Sequence, residues 1–170
     1  MTNTARSNVY LPMAAIILTA ALAVPAAAQN QVPFKGTFQG DDTVLPGPSP
    51  ATAVIRTTAT GAGTLLGRFS LAQDLTINGA NPTSTGSGEW IAANGDIVYT
   101  TFVASAIPGE VVFTITEIHT ITGGTGRFSG AEESFTVHRT HVVAPSADGT
   151  HLTFGRFEGT ISSPGAAHRR

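Results

Sequence analysis

Hydrophobic and polar residues alternate along most of the chain after residue 28, which is the pattern of β-strands with one buried face. In the segment 34–40, Phe34 and Phe38 fall on one face, and Lys35 and Thr37 fall on the other. No stretch after residue 28 sustains the apolar period of about 3.6 residues that marks an amphipathic helix. We therefore predict an all-β protein.

Turn residues divide this region into eight predicted strands, at 34–40, 52–60, 63–77, 83–92, 96–106, 110–121, 129–142 and 150–162. Tight connections between consecutive strands favour an eight-stranded antiparallel up-and-down barrel, whose lumen holds side chains or one small ligand. A two-sheet β-sandwich is the alternative that this pattern allows. In the barrel, six phenylalanines are predicted to face inward: Phe38, Phe69, Phe102, Phe113, Phe135 and Phe157.

The connection after the first strand is predicted to be a loop. Residues 41–50 contain Pro46, Pro48 and Pro50. Proline lacks the N–H group that a central strand needs for its hydrogen-bond ladder. On this ground the first predicted strand ends at Gly40.

The start of the chain has the composition of a secretory signal peptide. One cation, Arg6, precedes an apolar run at 11–24, and three alanines at 26–28 suit cleavage before Gln29. The apolar run is shorter than the ~20 residues that a membrane span needs, so we expect no membrane anchor after cleavage. We predict a secreted or periplasmic protein, with signal peptide 1–28, a single barrel domain at 29–170 and a flexible tail at 165–170.

Composition excludes several kinds of chemistry. Charged residues make up 12% of the chain and the formal net charge is −2, which does not suit nucleic acid as a partner. The chain has no cysteine, so it forms no disulfide and offers no thiol nucleophile. It also lacks the Gly-x-Ser-x-Gly motif of serine hydrolases. No cofactor is predicted.

Turn positions predict which polar residues share the buried face. If Asn94-Gly95 forms a two-residue hairpin turn, Glu89 lies opposite Thr100. If Pro108-Gly109 forms the next turn, Thr100 lies opposite Glu117. These three residues then form a row across the lumen.

The candidate catalytic residues are Glu117, Glu89 and His119, which share the more apolar face in this register. A carboxylate that is desolvated inside a barrel has a raised pKa and can act as an acid or a base. In the alternative interpretation these carboxylates are satisfied by Arg139, His119, Thr100 or water, or lie at the rim, and are only structural.

The last hairpin adds residues to this face when Phe135 is placed opposite Phe157. We therefore predict a ligand-binding set of Thr100, Phe102, Phe113, Ile115, Glu133, Phe135, Arg139 and Phe157.

The histidines form no predicted metal site. His141 falls opposite His151 in this register, but His138 lies on the other face. Zinc needs three or four converging ligands, and no Asp, Glu or Cys completes a compact set.

A glycine-dense stretch at 121–130, with the sequence ITGGTGRFSG, separates two strand-forming regions. At least one of Gly123, Gly124 and Gly126 is predicted to have φ > 0, and Phe128 is predicted to turn inward. A phosphate-binding loop is not favoured, because a following Gly-Lys-Ser/Thr and a helix are both absent.

This stretch resembles the Val-Val-Gly-Gly-Thr-Gly-Lys/Arg-Phe turn of plant dirigent proteins and of the allene oxide cyclase barrel-like group. The resemblance implies an eight-stranded antiparallel barrel with an internal ligand cavity. It also implies a cofactor-free cyclase or isomerase, or a dirigent-like guide for the coupling of a radical made elsewhere. It transfers no catalytic residue to this chain.

Two classes of function therefore remain after the sequence alone. The first is a cyclase or isomerase that acts on a small hydrophobic molecule in the lumen. The second is a non-catalytic carrier of such a molecule, or a structural or interaction module whose barrel is filled. An oligomer is compatible with either class.

Overall fold

The computed structural model describes residues 31–79, 81 and 83–162. The strands are β1 (Gln31–Pro46), β2 (Thr52–Gly63), β3 (Gly67–Asn78), β4 (Thr83–Ala92), β5 (Ile97–Ile107), β6 (Val112–Gly124), β7 (Ser134–Val142) and β8 (His151–Ser162). Each strand pairs antiparallel with the next, and β1 also pairs with β8 and closes the sheet into a barrel. The predicted eight-stranded barrel is confirmed, and the sandwich alternative is excluded.

Two of the sequence predictions concern segments beyond this part of the chain. The expected signal peptide at 1–28 and the expected tail at 165–170 lie outside the described residues. Within the ranges described, no helix is long and apolar enough to cross a bilayer.

The first strand is longer than predicted and continues through Pro46. Its pairing with β8 ends at Asp42, so the last part of β1 pairs only with β2. Pro46 therefore sits where one side of the strand is free, and its missing N–H breaks no second ladder. The extra length carries Asp42 into the barrel wall, with its side chain in the lumen.

The turn between β4 and β5 has three residues rather than two. Ile91 pairs with Ile97, and Gly95 adopts a φ of 87°, as the last residue of a three-residue hairpin loop requires. The extra residue shifts the pairing of β4 by one position, so side chains of β4 that were predicted to face the lumen face outward, and the others face inward. Glu89 is therefore exposed on the outer surface, and Trp90 is fully buried instead.

The other two registers differ from prediction by even numbers of residues, which leaves the faces unchanged. Thr100 pairs with Ile121, four residues beyond the predicted Glu117, because β5 and β6 are joined by a longer loop. Phe135 pairs with Gly159, two residues beyond the predicted Phe157. Glu117 and Phe157 still point inward.

The inward side chains form three layers along the barrel. An aromatic layer fills one end and consists of Phe34, Phe38, Phe69, Trp90, Phe135 and Phe157. A smaller apolar group, here called the mouth layer, lies at the other end and consists of Ile55, Leu75, Phe102, Ala104 and Ile115, with half-buried Ile77 and Phe113. Polar side chains occupy the level between them.

The two ends of the barrel are finished differently. At the aromatic end, Leu66 and Phe128 are buried against the layer and close it. At the mouth, Phe113 and Ile77 stay half-buried. The predicted inward orientation is confirmed for the other five phenylalanines named above, which are all buried.

Candidate functional site: a buried polar belt

Seven of the eight strands each contribute at least one polar residue at the same level of the lumen. This polar belt consists of Asp42, Thr57, Gln73, Thr100, Glu117, His119, Arg139 and Thr153, all at most 3% exposed. On β4 the residue facing Thr100 at this level is Gly88. Charged groups inside an apolar barrel are costly unless they are paired and hydrogen-bonded, so the pairing of the belt decides what it can do.

Arg139 joins the two carboxylates of the belt. Its Nη1 donates to both oxygens of Asp42, at 3.0 and 2.9 Å, and its Nε donates to Oε1 of Glu117 at 2.9 Å. Thr57 donates a further hydrogen bond of 2.6 Å to Oδ1 of Asp42. One guanidinium from β7 thus connects carboxylates from β1 and β6.

Both carboxylates are held in the ionised form. Burial acts to raise the pKa of Glu117, but the charge of Arg139 and the His119 hydrogen bond outweigh burial and hold that pKa below its ordinary value. Burial likewise opposes ionisation of Asp42, but the His141 hydrogen bond and Arg139 keep the pKa of Asp42 lowered. The expectation of a raised pKa for Glu117 is therefore wrong, because Arg139 lies beside it.

His119 is packed as well as hydrogen-bonded. Its ring stacks between Phe102 and Phe135, with centroid distances of 4.4 and 4.8 Å. Its Nε2 lies 3.1 Å from Oε2 of Glu117, and its Nδ1 lies 3.1 Å from the hydroxyl of Thr100. Burial lowers the pKa of His119 and outweighs the opposing effect of Glu117. We assign a neutral ring whose Nε2–H donates to Glu117 and whose Nδ1 accepts from Thr100.

The belt reaches the mouth through His141. Its Nδ1 lies 2.6 Å from Oδ2 of Asp42, a short bond of the kind that carboxylates make with strong donors. Its ring stacks against His151 at a centroid distance of 4.9 Å, although its backbone partner is Thr153. Among the residues that the structure describes, no group of three His, Asp or Glu side chains converges as a metal site.

Three buried polar atoms of the described lumen make no hydrogen bond within it: Oε1 of Gln73, Nε1 of Trp90 and Nη2 of Arg139. Nη2 lies 2.8 Å from Oε1 of Glu117, so it is ion-paired, although Nε has the better-aligned bond. Gln73 donates only long bonds of 3.4 Å to Glu117. Within the described belt, Oε1 of Gln73 is therefore the atom that has neither a hydrogen bond nor an ion pair from the protein.

Several grooves lie on the outer surface of the described barrel, and one of about 400 Å³ is lined in part by Gly88 and the belt residues Gln73 and Thr100. Another of about 750 Å³ runs over the outer faces of β1, β2 and β3 and is lined by residues such as Gln39, Thr58 and Ser70. Its lining mixes polar residues with apolar ones such as Leu71, Ile91 and Leu152, and Asp41 is its one charged residue among those described. The ion-paired group of Asp42, Arg139 and Glu117 lies inside the barrel and does not line this groove.

The structure brings together most of the predicted catalytic set. Glu117 and His119 are hydrogen-bonded, and the predicted binding residues Thr100 and Arg139 join them in the belt. Glu89 does not, because the β4 faces are exchanged.

The remaining predicted ligand-binding residues are divided among different places. Phe102, Phe113 and Ile115 belong to the mouth layer, and Phe135 and Phe157 belong to the aromatic layer. Glu133 does not face the lumen as predicted: it precedes β7, is half-buried with a φ of 102°, and its Oε1 accepts a hydrogen bond from Gln31. The loop departs from strand geometry there, so the alternation that placed Glu133 inward does not extend to it.

Sequence reasoning missed five members of the site: Asp42, Thr57, Gln73, Thr153 and His141 as a partner of Asp42. Asp42 was assigned to a proline loop. Gln73 had the signal, because it alternates with Phe69, Leu71 and Leu75 in β3, which are all inward. Buried polar residues of this kind can be found by searching each strand for a polar residue at a position where its neighbours two residues away are apolar.

The glycine-dense stretch closes the aromatic end. Gly123 and Gly126 have φ values of 134° and 53°, which confirms the prediction of φ > 0 in this stretch. The turn at Gly126–Phe128 receives the carboxylate of Asp96, to which the Arg127 N–H donates at 3.2 Å. Phe128 is buried, as predicted. The stretch therefore docks one loop of the barrel on another and brings no group to the belt.

Comparisons with known proteins address the fold. No protein-family model matches the chain, and no curated protein is similar to it in sequence. Among solved structures, the fold is similar to that of the pterocarpan synthase dirigent protein GePTS1, with a TM-score of 0.53 and 12% identity over 88% of this chain and 99% of that one. At this identity the likeness concerns the fold alone. The chain thus has a dirigent-like barrel.

Proposed function

We propose that this protein is exported, to the periplasm or the cell exterior, and binds a small hydrophobic molecule at the mouth of its barrel. The observation that carries the proposal is the position of the Asp42–Arg139–Glu117 group, fully buried directly beneath the mouth layer, of which Ile77 and Phe113 are half-buried. Buried charges add little net stability compared with apolar side chains, so such a group is a candidate for function.

The mouth suits a ligand better than the aromatic end. Small or half-buried side chains face inward there: Ala53, Ile77, Ser84 and Phe113. At the other end, Trp90 contacts Phe157 and Phe135 at centroid distances of 5.0 and 5.3 Å, and Phe128 covers the layer. A ligand at the mouth would first meet half-buried Ile77 and Phe113, with the buried members of the mouth layer beneath them. Ligand sites of this kind combine apolar walls with a few polar groups.

Binding with dirigent-like guidance is the function we favour, ahead of a cofactor-free cyclase or isomerase. A general base works best when its pKa lies near the working pH, and Glu117 is held ionised well below that range. Its proton-accepting strength is correspondingly low. The belt is better suited to orient a polar group than to exchange a proton through Glu117.

The test uses Phe113 and Phe154 as a matched pair. Phe113 is half-buried at the mouth, whereas Phe154 is exposed on the outer face of β8. The exported protein is purified natively, and its bound molecule is identified by mass spectrometry. Titration with the probe 1-anilinonaphthalene-8-sulfonate then measures the affinity of each variant. Phe113→Ala is expected to weaken binding about tenfold, because it removes a large apolar contact, and Phe154→Ala is expected to leave binding unchanged.

The same preparation separates a binder from an enzyme. If Glu117 takes part in proton transfer, Glu117→Gln lowers turnover of the co-purified molecule ~10²–10⁴-fold with little change in affinity. We expect no such loss. Absence of any bound molecule, together with equal probe binding by both phenylalanine variants, would overturn the proposal and leave a filled interaction module.

A further inference from the structure

His141 is the residue through which the buried charges meet the mouth. It is 7% exposed, whereas Asp42 and Arg139 are 0% and 1% exposed. Its ring contacts two half-buried rings, Phe113 at a centroid distance of 6.0 Å and His151 at 4.9 Å. A molecule entering at the mouth therefore meets this imidazole before it meets any charged group of the belt.

The hydrogen bond to Asp42 fixes which nitrogen of His141 faces the ligand. Asp42 is an acceptor, so Nδ1 of His141 is the donor of the 2.6 Å bond. In the neutral ring the lone pair is then on Nε2. Within the described part of the chain, Nε2 has no protein partner, and it is not among the buried atoms that are sealed from solvent.

Asp42 itself has no free oxygen for a ligand. Oδ1 accepts from Thr57 and Arg139, and Oδ2 accepts from Arg139 and His141. These bonds fill the lone-pair positions of a carboxylate. The negative charge is thus presented to the mouth only by way of His141, in the carboxylate–imidazole arrangement that fixes a tautomer and strengthens the imidazole as an acceptor.

We propose that Nε2 of His141 accepts a hydrogen bond from the bound molecule, so that the site selects apolar molecules that carry an O–H or N–H donor. This inference rests on the proposed function, because it concerns a ligand at the same mouth. His141 is then the specificity-determining residue, and Asp42 and Arg139 are positioning residues that act through it.

The experiment compares two probes of almost the same shape, 2-naphthalenemethanol and its methyl ether, which differ in the donor. The wild-type protein is expected to bind the alcohol about tenfold more tightly, as one buried hydrogen bond of about 1.4 kcal/mol implies. His141→Phe keeps an aromatic ring against Phe113 and His151. It is expected to abolish the preference, because phenylalanine has no nitrogen to accept the hydrogen bond of the alcohol.

His151→Phe is the matched control. His151 stacks on the same ring, but its Nδ1 is bonded to the Val142 carbonyl oxygen at 3.2 Å and it makes no bond to Asp42. This variant is expected to keep the preference. Equal binding of the two probes by the wild type, or an undiminished preference in His141→Phe, would overturn the inference alone. Failure of both probes to bind the wild type would overturn the proposed function with it.

Discussion

The aromatic layer and the polar belt fill neighbouring levels of one barrel by opposite means. The aromatic layer is held by ring contacts at 5.0–6.2 Å, which are weakly directional and tolerate repacking. The belt depends on charged bonds of 2.6–3.0 Å between fixed partners. Both levels are buried, so burial alone does not distinguish a structural layer from a functional one. The belt is the better candidate for function, because its directional charged bonds cannot be replaced by other side chains as readily as ring contacts can.

The largest effect is expected from Arg139→Met. Removal of the guanidinium leaves Asp42 and Glu117 buried and unpaired, so the free energy of unfolding should fall by ~3–5 kcal/mol. Arg156→Met, an exposed arginine of β8, is the control and should change it by less than about 0.5 kcal/mol. Denaturant titration measures both.

A triple variant sharpens this result. Asp42→Leu, Glu117→Leu and Arg139→Met together remove the charges without leaving one unpaired, and should be less destabilising than Arg139→Met alone. If the triple variant were the less stable of the two, the belt would be a stabilising device and the contrast between the two levels would disappear.

The glycine turn at the aromatic end should give the next effect. A Cβ at Gly124 would overlap the carbonyl oxygen of Ile97 and lie 2.7 Å from Cβ of Phe128. Gly123 has open space but a φ of 134°. Gly124→Val is expected to cost ~1–3 kcal/mol by overlap, and Gly123→Val a similar amount by backbone strain. Unchanged melting temperatures for both variants would contradict the account of this turn.

A smaller effect is expected within the aromatic layer. Phe157→Leu changes one ring among several that contact Trp90, and neighbouring side chains can move into part of the space. The cost should be less than about 1.5 kcal/mol, well below that of Arg139→Met. Thermal unfolding of the two variants in parallel tests the contrast directly, and an equal loss would remove it.

The smallest effect concerns pH and His119. Because the folded-state pKa of His119 lies below the ordinary 6.5, the unfolded chain binds the proton first, and stability falls as pH drops below 6.5. Asp42 and Glu117, whose pKa values are also lowered, add a further loss below their ordinary values of 3.8 and 4.5. In His119→Gln, the free energy of unfolding should change less between pH 7 and 5 than in the wild type. The loss of stability in stronger acid, which comes from Asp42 and Glu117, should remain. Unfolding measured at several pH values would show whether the upper step is present.

Most of the fold was readable from the sequence, because alternation and turn residues define strands locally. The lumen face was predicted correctly wherever a loop differed by an even number of residues, which is why Glu117, His119 and Arg139 were found. Glu89 was misplaced because one additional turn residue, Ala93, exchanges the faces of β4.

The site was less readable, because its members meet only when distant strands close. Asp42 and Arg139 are 97 residues apart, and no local pattern links them. The prolines after Asp42 correctly indicate that β1 stops pairing with one neighbour, β8, in this region. They do not show that β1 continues to pair with its other neighbour, β2. The effect of Arg139 on the pKa of Glu117 likewise depends on contact between side chains from two strands.

The pairing of β1 with β8 has a consequence for how the chain folds. Gln31 lies opposite Ser162, so the last ladder joins the two ends of the described chain and forms at a high entropy cost. Until it forms, β1 and β8 remain open edges that can recruit strands from other molecules. A nascent chain that stops before His151 has seven strands, and its open edges are then β1 and β7. Pairing of β8 with both β7 and β1 removes these open edges.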